Sequence, residues 1–130
     1  MTVDIQTYVE SVRRHTAELR RRNSEATNRA RAELPGMVEV IRATKGVRRA
    51  YLFGSLAKDR FHPGGDIDIA VDGLNWDERD ELRQRLKSIS SFPVDVVNLD
   101  ASDPFRGLVE FYGELLHADA GEPTDTSSRS

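Results

Sequence analysis

Apolar positions recur at three-to-four spacing over the first part of the chain. Ile5, Tyr8, Val9, Val12, Thr16 and Leu19 form one stripe, the period of an amphipathic helix, which is predicted from Asp4 to about Ala32. Past Leu19 the stripe thins to Ala26 and Ala30, and Arg20-Arg21-Arg22 cover the rest. So narrow an apolar face buries little by itself: a partner covers it, or it stands partly free in solvent. Pro35 fits the first position of a second helix that carries Met37, Val38, Val40 and Ile41 to about Thr44, where Gly46 stops it.

The period then shortens to two. Val47 to Phe53 reads as a strand, with Ala50 and Leu52 on one face and Tyr51 and Phe53 on the other. A short helix over Ser55–Arg60 and a Pro/Gly loop over Phe61–Gly65 lead to a second strand, Asp66 to Val71, ended by Asp72-Gly73. Asn75 or Asp77 caps a helix through about Ile89, with Leu82, Leu86 and Ile89 along one side. Val94 to Leu99 is a third strand. Asp103 caps a last helix, with Pro104 at its first position and Leu108, Val109, Phe111, Tyr112, Leu115 and Leu116 as its apolar side. The expected fold is α/β (α+β): a small mixed sheet flanked by helices, preceded by a long N-terminal helix. We divide it into a helical segment (1–45), a core (46–117) and a small, polar, disordered tail (118–130).

At 130 residues the chain has room for one core. It contains no cysteine, and His15, His62 and His117 are scattered, so neither disulfides nor structural zinc are expected. Secretory and membrane-spanning patterns are lacking, which makes a cytoplasmic location the expectation. The net charge of −3 is uneven, with arginines crowding the first third and acids dominating after residue 64. No aromatics interleave with the arginine run, so direct nucleic-acid binding is not expected.

Three features carry chemistry. In a strand, Asp66 and Asp68 point to one face with Cα atoms roughly 6–7 Å apart, while Ile67 and Ile69 turn to the core. Two carboxylates about 4 Å apart at an effective dielectric near 20 repel by about 4 kcal/mol, and a divalent cation between them removes that cost; magnesium accepts such carboxylates together with phosphate oxygens. Gly54-Ser55 at a strand end lets backbone approach a ligand closely, a following helix start offers N–H groups to phosphate, and Lys58 adds a charge one turn on. The spacing is not that of a Walker loop. Asp95 lies inside an apolar strand, beside Val97 and opposite Val94 and Val96, where an unpaired carboxylate is costly. Each feature alone has an ordinary explanation: solvated edge-strand acids, a plain turn, or Asp95 paired with an arginine. Capping or solvation accounts for Asp72 and Asp100, and exposure for His62.

Together the string Gly54-Ser55-Leu56-Ala57-Lys58, the Asp66-Ile67-Asp68 pair eleven residues beyond the serine, and Asp95 on a later strand resemble the minimal nucleotidyltransferase (MNT) domain of the DNA polymerase beta-like superfamily. The resemblance covers roughly Val47 to Leu99. It implies that Gly54, Ser55 and Lys58 bind the donor triphosphate, and that Asp66, Asp68 and Asp95 are catalytic and hold magnesium, two ions being expected. It also implies AMP transfer from ATP to a hydroxyl, a tyrosine of a HEPN-type toxin partner, by an antitoxin acting as protein adenylyltransferase. The long helix would then dock that partner or a second copy. Two positions depart from the family pattern: Asp59 where glycine is usual, placing negative charge near the phosphates, and Gly65 where serine is usual. The alternatives are a small-molecule transferase of the aminoglycoside-modifying kind, and a non-catalytic module that neutralises its partner by contact.

Overall fold

The computed structural model describes residues 4–99 and 104–119. Its elements are α1 (Ile5–Ala43), β1 (Arg49–Phe53), α2 (Gly54–Ala57), β2 (Ile67–Asp72), α3 (Trp76–Ser88), β3 (Val94–Asn98), α4 (Pro104–Tyr112) and β4 (Glu114–Ala118). The expected capping role of Asp103, the strand-end Asp100 and the tail beyond Asp119 lie outside the described residues.

The two helices expected on either side of Pro35 are one. Interior proline costs about 3 kcal/mol or more. Ala26, Ala30, Leu34, Met37 and Ile41 keep three-to-four spacing straight through it and are all buried. Each buried Leu, Met or Ile side chain stabilises by about 1.5–3 kcal/mol, so the continuous stripe outweighs the proline. The apolar half behaves in the opposite way to the thin half. Ile5, Tyr8, Val12 and Leu19 are exposed, whereas the small Ala26 and Ala30 let the helix lie close on the domain. Asp4 caps the start, its Oδ1 accepting from the Gln6 N–H at 3.1 Å.

The sheet is mixed, in the order β3-β2-β1-β4. β1 is antiparallel to both β2 and β4, and β2 is parallel to β3 through the α3 crossover. One face carries Ala50, Leu52, Ile67, Ile69, Val71, Val94 and Val96, packed under α1 and under Leu82 and Leu86 of α3. The other carries Tyr51 and Ala70, covered by Val109 with Phe53, Val97 and Phe105 alongside. α3 starts with a capping box: the Glu78 N–H donates to Asn75 Oδ1 at 2.8 Å, and the Asn75 N–H donates to Glu78 Oε1 at 2.9 Å.

The last helix is shorter than expected. Its hydrogen bonding closes where the Gly113 N–H donates to the Val109 carbonyl at 2.7 Å. The chain then becomes β4, with Leu115 opposite Tyr51 and Glu114 opposite Leu52. Pairing with an otherwise open edge of β1 decides the conformation of Leu115 and Leu116, which helical spacing alone assigns to α4. β4 runs through Ala118, where the tail was expected to begin. Among the described residues no helix is long and apolar enough to cross a membrane.

Candidate active site

Strand register places the carboxylates. Phe53 of β1 lies opposite Asp68 of β2, and Asp68 lies opposite Asp95 of β3. Directly opposed residues share a face, so Phe53, Asp68 and Asp95 form a row across one end of the sheet. Asp66, two residues before Asp68, falls on the same face. Asp68 is half-buried, while Asp66 and Asp95 are exposed. Burial first, then the negative charges of Asp66 and Asp95, push the Asp68 carboxyl up to about 6. A divalent cation at this row would offset the repulsion from both Asp66 and Asp95.

The donor set suits magnesium: it is all carboxylate oxygen, with no soft ligand near. Among the described residues no three His, Cys, Asp or Glu side chains converge tightly enough to hold a metal by themselves.

The Gly54 turn lies directly on this row. Gly54 has φ +78°, a conformation that L side chains rarely adopt, and a Cβ there would collide with Asp68 Oδ2 and lie 3.2 Å from its Cγ. Only glycine lets the backbone pass so near the carboxylate. The single turn of α2 follows, its first N–H groups lacking helical partners. Ser55 is half-buried beside Gly54, and Lys58 is exposed at the end of the turn.

Both departures from the family pattern have local causes. Asp59 sits at φ +56°, a backbone state that glycine usually supplies. Its carboxylate accepts from Arg31 Nε of α1 at 2.7 Å, so its charge is matched rather than left beside the turn. The same guanidinium donates to the Leu56 carbonyl at 3.2 Å and to Glu114 of β4 at 3.0 Å. Arg31 therefore braces the turn from two sides. At Gly65 a Cβ would lie 3.1 Å from both Phe61 Cε1 and the His62 carbonyl oxygen. With Phe61 fully buried, a serine there would need that core ring to give by a few tenths of an ångström.

Two features escape sequence reasoning. A groove of about 360 Å³ opens beside Gly54 and Lys58, walled by Phe53, Phe105, Leu108, Val109 and Tyr112. Phe53 and Phe105 meet edge-to-face at 5.4 Å. The alternation of β1 places Phe53 on this face, but nothing in the sequence folds α4 over it. The second is Asp72, expected to be solvated or capping. It is buried, with Arg48 at 3.1 Å and Arg106 of α4 at 3.0 Å on its two oxygens. Burial alone would raise that carboxyl, yet the hydrogen bonds from Arg106 and Arg48 outweigh it and hold it below the usual range.

Known proteins share this fold. A chain of the crystal structure of a toxin–antitoxin with AMP-PNP superposes with a TM-score of 0.59 at 29% identity, over 67% of this chain and 74% of that one. A chain of the tri-AMPylated Shewanella oneidensis HEPN toxin in complex with MNT antitoxin gives 0.53 at 27% identity, over 69% and 73%. The toxin–antitoxin MntA–HepT gives 0.53 at 26% identity, over 68% and 73%. No curated protein matches the sequence. The family described as polymerase beta, nucleotidyltransferase matches residues 37–117. That span holds the turn, the carboxylate row and the groove within most of the sequence, and the chain belongs to the polymerase beta nucleotidyltransferase family.

Proposed function

We propose that this protein is an antitoxin that transfers AMP from ATP to a tyrosine hydroxyl of a HEPN-type toxin partner. The observation that carries the reading is the Phe53–Asp68–Asp95 row, with Gly54 passing so close to Asp68 that a Cβ is excluded. The neighbours bound to AMP-PNP or to a tri-AMPylated toxin support the donor and the acceptor class. Residues 46–117 form the transferase unit in this reading, with 1–45 as a helical segment and 118–130 as a tail.

The α2 N–H groups, Ser55 Oγ and Lys58 hold the triphosphate, and the apolar groove takes the nucleoside. Magnesium, two ions held by Asp66, Asp68 and Asp95, would supply positive charge to the α-phosphate and the departing pyrophosphate. Asp95 is exposed on β3, an edge strand, so the acceptor hydroxyl approaches from that side. Asp95 receives its proton. The acceptor oxygen bonds to the α-phosphorus as the α–β phosphoanhydride bond breaks, and pyrophosphate leaves opposite the nucleophile.

Incubation with α-labelled ATP, magnesium and the partner should label the partner. Asp66→Asn, Asp68→Asn and Asp95→Asn should each lower the rate by on the order of 10²–10³. Equal labelling by all three variants sinks the catalytic assignment. Tight complex formation without label under any condition favours the contact-only module.

A further inference from the structure

The first buried residue of α1 is Ala26, so about 30 Å of helix precedes the domain. Its apolar positions follow a strict pattern. Ile5, Val9, Val12, Thr16, Leu19 and Asn23 are spaced alternately by four and three, the a/d seam of a coiled coil. The same register continues into Ala26 and Ala30, which the domain buries. One seam thus serves two surfaces, covered by the domain at one end and open at the other. Ile5 is 77% exposed, Val12 47% and Leu19 45%, more apolar surface than a solvated helix needs.

The residues beside the seam say what covers it. The flanking e and g positions are Gln6, Tyr8, Arg13, His15, Arg20 and Arg22, without a single acid. The acids Glu10, Glu18 and Glu25 fall on the outer positions. There Glu18 pairs with Arg21 and Arg22, and Glu25 with Arg21. Arg13 and Arg20 make no ion pair among the described residues. A parallel second copy would set His15 against Arg20 of the other chain, and an antiparallel one would set arginine flank against arginine flank. No acid meets Arg13 or Arg20 in either arrangement, so self-pairing leaves both arginines unmatched, whereas acidic flanks on a different helix would match them.

We propose that the open half of α1 docks an amphipathic helix of a partner protein, one with Glu or Asp at its flanking positions and a polar residue opposite Asn23. A single Asn in such a seam fixes register at some cost in stability. The docked helix would end beside Thr27, whose hydroxyl donates to the Phe61 carbonyl at 3.4 Å. Phe61 lies in the loop between α2 and β2 and packs in the same core as Ala26 and Ala30, so the docked helix would abut the domain where α1 joins it. The proposal stands apart from the transfer chemistry, because docking needs no nucleotide.

The test uses the full chain without ATP and two synthetic four-heptad helices of matched seam, one Glu-flanked and one Lys-flanked, followed by fluorescence anisotropy. The Glu-flanked peptide should bind at least about tenfold more tightly than its Lys twin and weaken as salt rises. Val12→Glu with Leu19→Glu should abolish binding with helicity unchanged. Arg13→Glu with Arg20→Glu should reverse the preference between the peptides. Equal binding of both peptides, or binding of neither, overturns the proposal. So does a dimer in sedimentation that Leu19→Glu dissolves, since a second copy would then be the occupant. Capture of a single-stranded RNA probe through Arg13 and Arg20, with no peptide bound, would reassign the surface to nucleic acid.

Discussion

Replacing Asp68 by asparagine removes a charge while keeping the side chain's size, and the metal-free protein should gain stability from it at neutral pH. Burial, reinforced by Asp66 and Asp95, pushes the folded carboxyl up to about 6 from an ordinary 3.8. Between those values the folded state binds more protons than the unfolded state, so stability falls as pH rises through about 4 to 6. The destabilisation is complete above that window and absent below it. A rise of that size corresponds to roughly 3 kcal/mol, but the group is only half-buried, and solvent screening brings a realistic figure nearer 1–1.5 kcal/mol. For a chain of this size that is about 3–5 °C in Tm. Thermal denaturation in chelator at pH 7.5 should show Asp68→Asn more stable than wild type, with the gap closing by pH 4. Magnesium should then raise the wild-type Tm and leave the variant's nearly unchanged. A variant no more stable than wild type at pH 7.5, or a gap independent of pH, would refute the reasoning.

Arg31→Ala should raise the KM for ATP, because it frees the Asp59 carboxylate beside the phosphate turn. Asp59→Gly in that background should restore it, since glycine suits the φ of +56° and removes the charge; a purely structural arginine gives no such rescue. Leu108→Trp should fill the groove and weaken ATP by about tenfold or more while inorganic tripolyphosphate binds as before, and equal losses for both ligands in calorimetry would move the nucleoside elsewhere. Asp72→Ala should cost about 2–4 kcal/mol in a denaturant midpoint by leaving Arg106 without its buried partner. Its ATP affinity should hold, because Asp72 lies at the far end of β2 from Asp68.

Local rules carried much of this architecture. Alternation set the faces of β1, β2 and β3, and the Asp66–Asp68 spacing and the position of Asp95 follow from it with no tertiary information. The strand order, which brings Asp95 beside Asp68, came only through the family resemblance. The structure departs from the local signal where a distant partner outweighs it. Pro35 reads as a helix start until Leu34, Met37 and Ile41 are seen to share one buried stripe with Ala26 and Ala30. Leu115 and Leu116 keep helical spacing but are drawn into β4 by the open edge of β1. Asp59 looked harmful beside the phosphates because its counter-charge, Arg31, lies 28 residues away on another element. Asp72 misled for the same reason: Arg106 is invisible as its partner until α4 folds back over the sheet.

The central claim is that one row of aspartates moves AMP onto a tyrosine of a partner. Intact-mass spectrometry of the partner, after incubation with this protein, ATP and magnesium, tests it most directly. Mass should rise by whole AMP units, and fragmentation should place them on tyrosine. The gain should vanish with Asp66→Asn or Asp68→Asn, and also when that partner tyrosine is replaced by phenylalanine. An unmodified partner that is nonetheless silenced would contradict the account, as would modification that persists in the aspartate variants.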